Sequence, residues 1–398
     1  MKQQRSAYRQ PRHGTKAAKL GSLAAAILLA FSGSAGAASF QIPGSSTTLD
    51  VGGYVKLDII WNDETSGDNN QANIEYTPSA IPLKNNVAGE DGQFIFNGRE
   101  SRIWVKTSTP GEGGDIKTHI EFDFDTNTGN QVVSNSHAGR VRHAYGTYRN
   151  VLFGRTWTTF MYLPGLPETN DFGGPTGDIF VRQAQVRFSF PMAGGSFDLA
   201  FENPETFAAT AGVSAATDDD EAPDIIARYN TKNWSVAGLF RSLNISNPPG
   251  IDDSTTAAAV QFGWNYPFGG GITFKGMLSA GDGIGRYMSL AAHPDAVVTG
   301  STIDALESVG GFASLQFKTG GPGNGRINVV LGLTEADDPV GIAGTAAIEK
   351  TSSLHVNYMW NPEKSIRHGI ELIRATADQY DGTERELTRV QWSTMFVF

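Results

Sequence analysis

The chain has no cysteine, so neither a disulfide nor a thiolate metal site is open to it. After residue 38 it also lacks any apolar run near the ~20 residues that a membrane-spanning helix needs. It lacks a basic excess: 31 Lys and Arg stand against 41 Asp and Glu among 398 residues, a formal charge of −10. Nucleic-acid partners normally meet a basic face, so none is expected. A mean hydropathy of −0.25 taken alone reads as a soluble secreted protein. What is plentiful is glycine, 47 residues, and aromatic side chains, 10%, a mixture suited to tight turns and β structure. A transmembrane β-barrel reconciles these facts, because its strands are apolar on one face only and give a weak hydropathy signal.

The first 38 residues are different in kind. Lys2, Arg5, Arg9, Arg12, Lys16 and Lys19 form a basic start, Leu23 to Phe31 an apolar run, and Ser34-Ala35-Gly36-Ala37-Ala38 a small-residue site. That order is a secretory signal peptide over residues 1–38, with cleavage expected near Ala37 to Ser39. Its removal takes six basic side chains and no acid, leaving 25 against 41, or −16, for the mature domain at 39–398.

Alternation then begins. Val51, Val55, Leu57, Ile59 and Trp61 share one face and Lys56 and Asp58 the other, the period-two signature of a strand with one greasy and one wet side. Ile116, Thr118, Ile120, Phe122 and Phe124 alternate strictly with Lys117, His119, Glu121, Asp123 and Asp125. Strands are expected at 51–61, 94–108, 116–125, 139–149, 151–157, 180–190, 196–203, 223–231, 234–243, 255–266, 271–281, 307–318, 326–335, 348–360, 366–376 and 386–398. Short turns alternate with long loops, as in outer-membrane barrels. The expected fold is all-β: a transmembrane antiparallel barrel of about sixteen strands, wide enough for an aqueous channel. Residues 39–49 are expected as a lead that pairs the chain ends at the periplasmic rim.

One long segment stands out between two of these strands. Arg155 to Phe180 is rich in Pro, Gly, aromatic and acidic residues. It is expected to fold inward as a constriction loop at about 157–179, facing arginines on the barrel wall. Guanidinium groups bind carboxylates through paired hydrogen bonds and stay charged at any relevant pH, and rings of charge are how pores select ions. Arg102 and Arg142 are candidates, with Arg140, Arg182 and Lys106 beside them. Simple alternation would put Arg155 toward lipid with Val151 and Phe153, so its inclusion supposes that it lies where the loop departs.

The words Gly98-Arg-Glu-Ser-Arg-Ile-Trp-Val105, Arg142-His-Ala-Tyr-Gly146, Phe153-Gly-Arg-Thr-Trp157 and Leu166-Pro-Glu-Thr-Asn-Asp-Phe-Gly-Gly-Pro175, with the terminal Phe398, resemble the DcaP-like family of trimeric outer-membrane porins. The resemblance covers essentially the whole mature chain. It implies a homotrimer in the outer membrane of a Gram-negative bacterium, without a cofactor, that passes small anionic solutes such as dicarboxylic acids. Carried over by position from general porins, Arg102, Arg142 and Arg155 are wall residues, and Glu168 and Asp171 are acids of the inward loop opposite them. Some relatives carry an N-terminal coiled coil that this sequence does not.

Two other classes stay open on residues alone. An outer-membrane hydrolase of the phospholipase type would draw on His119, His143, His355 or His368 with a serine, although no nucleophile elbow is present. A non-conducting structural or adhesin barrel would fill its lumen with side chains. The run Asp218-Asp-Asp-Glu221 lacks the spacing of a calcium loop and reads as a solvated outer loop.

Overall fold

The computed structural model describes residues 37–64, 73–82, 92–126, 128–130, 132–210, 213–214, 217–218, 220–247, 251–321, 323–337, 342 and 345–398. The expected leader lies almost wholly outside them, as does part of the 218–221 run. Sixteen strands form the barrel. They are β1 Thr48–Asn62, β2 in two pieces (Gln93–Asn97 and Arg102–Thr109), β3 Ile116–Asp123, β4 Arg140–Tyr148, β5 Val151–Trp157, β6 Arg182–Met192, β7 Gly195–Glu202 and β8 Asp224–Thr231. The second half comprises β9 Trp234–Asn247, β10 Ile251–Gly269, β11 Ile272–Asp282, β12 Glu307–Lys318, β13 Arg326–Ala336, β14 Ile348–Glu363, β15 Ile366–Gln379 and β16 Glu384–Val397. Each pairs antiparallel with the next, and β16 pairs back with β1 from Tyr54 to Asn62, which closes the cylinder. Closure leaves no sheet edge, as a membrane span requires.

The chain ends meet at the rim of this seam. A short strand, Ala38–Gln41, pairs with Thr48 to Val51 in line with β16, and Gly53 and Phe398 exchange both backbone hydrogen bonds at 3.1 Å. Parity follows the alternation: Val55, Leu57 and Trp61 are exposed on the outer face, while Lys56, Asp58 and Asn62 are buried within.

Two irregularities re-aim side chains into the lumen. Asp58 faces Asn97 and Tyr54 faces Arg102, so three residues of β1 stand opposite four of β2, Gly98 to Ser101. The extra residue reverses parity. Phe94 and Phe96 point out before it, Ile103 after it, and Arg99 and Glu100 are left buried. The unbroken strand expected over 94–108 is therefore two pieces. On β4, Glu121 pairs with His143 and Phe122 with Val141, so Arg142 has no partner across the ladder. This bulge lets Arg142 and His143 both turn inward.

Among the long loops only the third was expected inside the barrel. The structure tucks in parts of four: L1 (63–92), L3 (158–181), L4 (203–223) and L6 (283–306). Ala208–Thr210 of L4 pairs parallel with Ala296 to Val298 of L6, and these loops pack with Leu243, Ile245 and Ala257 of the wall. Tyr76 and Ile81 of L1 pack on Ile373, Ala375 and Leu387. The physical cause is that these lumen-facing wall positions are apolar and must be covered.

Candidate functional site

L3 is seated by its apolar first half. Phe160, Met161 and Tyr162 pack with Ile179 and with Ile226, Leu239, Met277, Phe312 and Val330, which point into the lumen from β8, β9, β11, β12 and β13. The wall makes room with glycine: a Cβ on Gly263 would stand 2.6 Å from Tyr162, and one on Gly332 would run into the carbonyl of Thr176. L6 locks the far side. Ile179 bridges to Met288, Phe180 N donates to Tyr287 O at 3.0 Å, and Ser289 N donates to Asp178 O at 2.9 Å.

Polar wall residues then hold the loop's second half. Lys275 Nζ donates to Leu166 O at 3.1 Å, Asn357 Nδ2 to Glu168 O at 2.8 Å, and Lys56 Nζ to Asn170 O at 2.7 Å. Glu371 accepts from the backbone N–H groups of Asn170 and Asp171, and its other oxygen lies 2.9 Å from His355 Nδ1.

The loop's acids do not face the arginines expected opposite them. Asp171 is buried, 2.6 Å from Arg389 Nη1, and accepts from Tyr76 N at 2.8 Å and Gly173 N at 2.9 Å. Glu168 pairs with Arg326 and accepts from Gln316 Nε2 at 3.2 Å. Both are anchors onto β13 and β16, because the loop lies flat on that wall. A third acid, Asp178, is fully buried with neither oxygen hydrogen-bonded among the described residues. Burial pushes its carboxyl well above the usual range, toward the neutral form.

L3 instead offers the other wall an aromatic ring. The guanidinium carbons of Arg142, Arg140, Arg102 and Arg182 lie 5.0, 5.4, 5.6 and 5.9 Å from the Phe172 centroid. Cations are drawn to a ring face at such distances. Behind them sit their acids. Arg140 binds Asp123 through Nε and Nη2 at 2.9 Å each and Asp125 at 3.0 Å. Arg142 spans Glu121 and Asp123 at 2.7 Å, and Arg102 lies 3.4 Å from Glu100 and 3.6 Å from Glu121.

Four arginines against Glu100, Glu121, Asp123 and Asp125 balance in formal charge, so the deciding quantity is which sign is presented. Side-chain exposure is 28% for Arg140 and 18% for Arg102, against 11% for Glu121, 10% for Glu100, 3% for Asp125 and 0% for Asp123. Arg142 is 2% exposed and acts from behind. Arg182 stacks on Trp157 at 4.6 Å and makes no ion pair among the described residues; its Nη1 is buried without a partner. Lys106, over Trp104 at 4.3 Å, lies on the same wall below the cluster.

Arg155 is a correction. Both ladders of β5 run through it without a register shift, pairing it with Ala144 and Ala184, and it is exposed on the face of Phe153. Its Nε donates to Val141 O at 3.3 Å. The loop departs only after Trp157, so Arg155 does not lie at its departure and stays on the outer face. The expected set misses Phe172, Arg326, Glu371 and Arg389. Phe172 has no signal beyond its place in the L3 word, and the others pair with groups over a hundred residues away.

Of the four histidines considered for hydrolysis, His119 lies 3.3 Å from Tyr145 Oη, His143 3.0 Å from Thr156 Oγ1, His355 beside Glu371, and His368 3.0 Å from Thr394 Oγ1. Among the described residues none meets a serine hydroxyl.

A family model described as DcaP outer membrane protein matches residues 22–232. The outer membrane channel DcaP of Acinetobacter baumannii is similar in structure, with a TM-score of 0.77 at 22% identity over 92% of this chain and 100% of that one. OmpT of Vibrio cholerae in its trimer form gives 0.55 at 11% over 89% and 100%. An anion-selective porin from Comamonas acidovorans gives 0.52 at 12% over 88% and 100%. No curated protein sequence matches the chain significantly. At these identities the structural likenesses are of fold alone.

Proposed function

The chain belongs to the DcaP outer membrane protein family and is an outer-membrane channel, and from that premise we propose that it passes small hydrophilic solutes by diffusion with a preference for anions, dicarboxylates among them. The observation that carries the preference is the Phe172 cluster. Four guanidinium groups converge at 5.0 to 5.9 Å on one ring of the inward loop, while the loop's own acids are paired elsewhere or held neutral. A solute carboxylate at this point meets cations with their counter-charges behind them. Binding that is favourable enough to enter and weak enough to leave then sets the flux. The formal charge of the rest matters less, because screening acts over ~8 Å at physiological salt.

In this reading Arg102, Arg140 and Arg182 touch the solute, Arg142 positions Glu121 and Asp123, and Lys106 lies along the path. Glu168 and Asp171 fix the loop and do not contact the solute. Residues 1–38 serve as the export leader. The assembly is a homotrimer seated in outer-membrane lipid, supported by the trimer form of the similar OmpT fold. The test is the reversal potential of the purified protein in a planar bilayer under a KCl gradient. Wild type should select chloride, and Arg102→Ala/Arg140→Ala/Arg182→Ala should lower the anion-to-cation permeability ratio several-fold. An unchanged potential in the variant, or a cation-selective wild type, counts against the assignment.

A further inference from the structure

We propose that the cavity on the short-turn side of the Phe172 cluster is a second anion station, which takes a carboxylate of a small carboxylic acid as it leaves the constriction. It rests on the anion-channel reading above. The cavity measures about 360 Å³ and is lined by Tyr54, Lys56, Arg102, Asn170, Arg367 and Ser393, with Glu100 as its acid. Three cations therefore face one carboxylate. Lys56 is already engaged by Glu100 and, at 3.3 Å, by Asp58.

Arg367 is the group left over. It follows the turn at 361–365 as the second residue of β15, on the rim that outer-membrane barrels turn to the periplasm. It has no acidic partner among the described residues, and its Nε, like that of Arg102, is buried without a hydrogen-bond partner. Guanidinium N–H groups in that state have lost water without gaining an acceptor, and a carboxylate would supply one.

Arg102 joins the two stations. Its guanidinium lies 5.6 Å from the Phe172 ring and also lines the cavity. An anion can therefore pass from the Arg140 and Arg182 side to Arg367 while staying in contact with one cation throughout. Adjacent sites of this kind let one bound ion displace the next. A dicarboxylate has a group for each station.

The experiment is block of chloride current by succinate in a planar bilayer, with succinate added to either side. Wild type should be blocked at a lower concentration from the short-turn side. Arg367→Ala should raise the half-blocking concentration from that side about tenfold, the weight of ~1.4 kcal/mol for one charge-assisted contact. Arg367→Gln, which keeps length and polarity, should behave alike and guards against an assembly defect in the smaller variant. The KCl reversal potential should stay anion-selective in both, which separates this proposal from the one it rests on. Equal block in wild type and both variants overturns the second station, and so does block in wild type that is equal from both sides. A wild type without anion selectivity overturns the reading beneath it.

Discussion

Between β7 and β13 the lumen-facing positions include Ala200, Ile226, Leu239, Ala259, Met277, Phe312 and Val330, whereas from β1 to β4 they include Lys56, Arg102, Glu121, Asp123, Arg140 and Arg142. Both arcs belong to one cylinder with the same strand geometry and the same apolar exterior. The difference lies only in what alternate residues carry. An apolar inner wall in a water-filled barrel exposes hydrocarbon, and burying it returns roughly 25 cal/mol per Å². L3 and L6 supply the cover. The charged arc has its own partners in the ladder of arginines and acids, so L3 meets it through Phe172 and the Asn170 carbonyl that Lys56 holds, without an apolar cover. The loop's location follows from this asymmetry, and in the function proposed above it sets the side on which a solute passes.

The comparison breaks most sharply at the anchor of L3. Arg389→Ala leaves Asp171 of the loop buried without its ion-pair partner, and breaking such a pair costs about 3–5 kcal/mol. A fall in the thermal midpoint, with larger single-channel conductance as the loop lifts, is the expected result. Asp171→Leu/Arg389→Met, which removes both charges, should lose far less. Equal losses would mean that the pair does not seat the loop. A smaller break comes from the apolar arc itself: Gly332→Val pushes a side chain into Thr176 O, and overpacking of this kind costs about 1–3 kcal/mol. Conductance should rise here too, with reversal potential nearly unchanged because the arginine arc is untouched.

Much of the frame was legible beforehand, because outward positions such as Val55, Leu57, Ile120 and Phe122 alternate with polar neighbours and give strands directly. Sixteen strands, closure at Phe398 and the long insert after Trp157 follow from that period and from turn spacing. The apolar arc was not legible for the same reason. In Val329-Val330-Leu331 or Ala237-Gly238-Leu239-Phe240 both faces are apolar, and nothing local says which face a loop will cover. The two irregularities were invisible as well, since one extra residue at Gly98 to Ser101 leaves no mark in composition. Of the site, Arg102, Arg140, Arg142 and Arg182 were readable as inward cations. The pairing of Glu168 with Arg326 and of Asp171 with Arg389 spans 158 and 218 residues, and only the closed barrel brings them together.

The cover formed by L6 offers a milder and reversible test. His293 is fully buried in that loop, and its Nδ1–H donates to Ile348 O at 2.8 Å while Nε2 accepts from Thr334 Oγ1 at 2.7 Å. The Nδ1–H bond to Ile348 O would survive protonation, but burial disfavours the charged ring and pushes its pKa down to about 4. The unfolded or undocked loop titrates near ~6.5. Between these values the undocked state binds the extra proton, so docking weakens as pH falls from about 6.5 toward 4 and is at full strength above. Hydrogen exchange of the L6 amides should rise over that window. His293→Gln, which does not titrate, should flatten the profile, and an unaltered profile would assign the transition to another group.

The smallest effect should come from the residue that the porin resemblance placed on the inner wall against the alternation of its strand. Arg155 shares a strand with Thr156, which points inward, and stands two residues before the L3 departure, so a one-residue shift of register would place it among the other arginines. No such shift occurs in either ladder. Its guanidinium lies on the outer face beside Val141 O, separated from the lumen by the sheet. Arg155→Ala should therefore leave the KCl reversal potential where wild type has it, and should change stability within about 0.5 kcal/mol, as exposed substitutions do. A fall in anion preference comparable to that from Arg182→Ala would show that the β5 edge turns inward in the membrane. In that case the charged arc would extend one strand position further than the register allows.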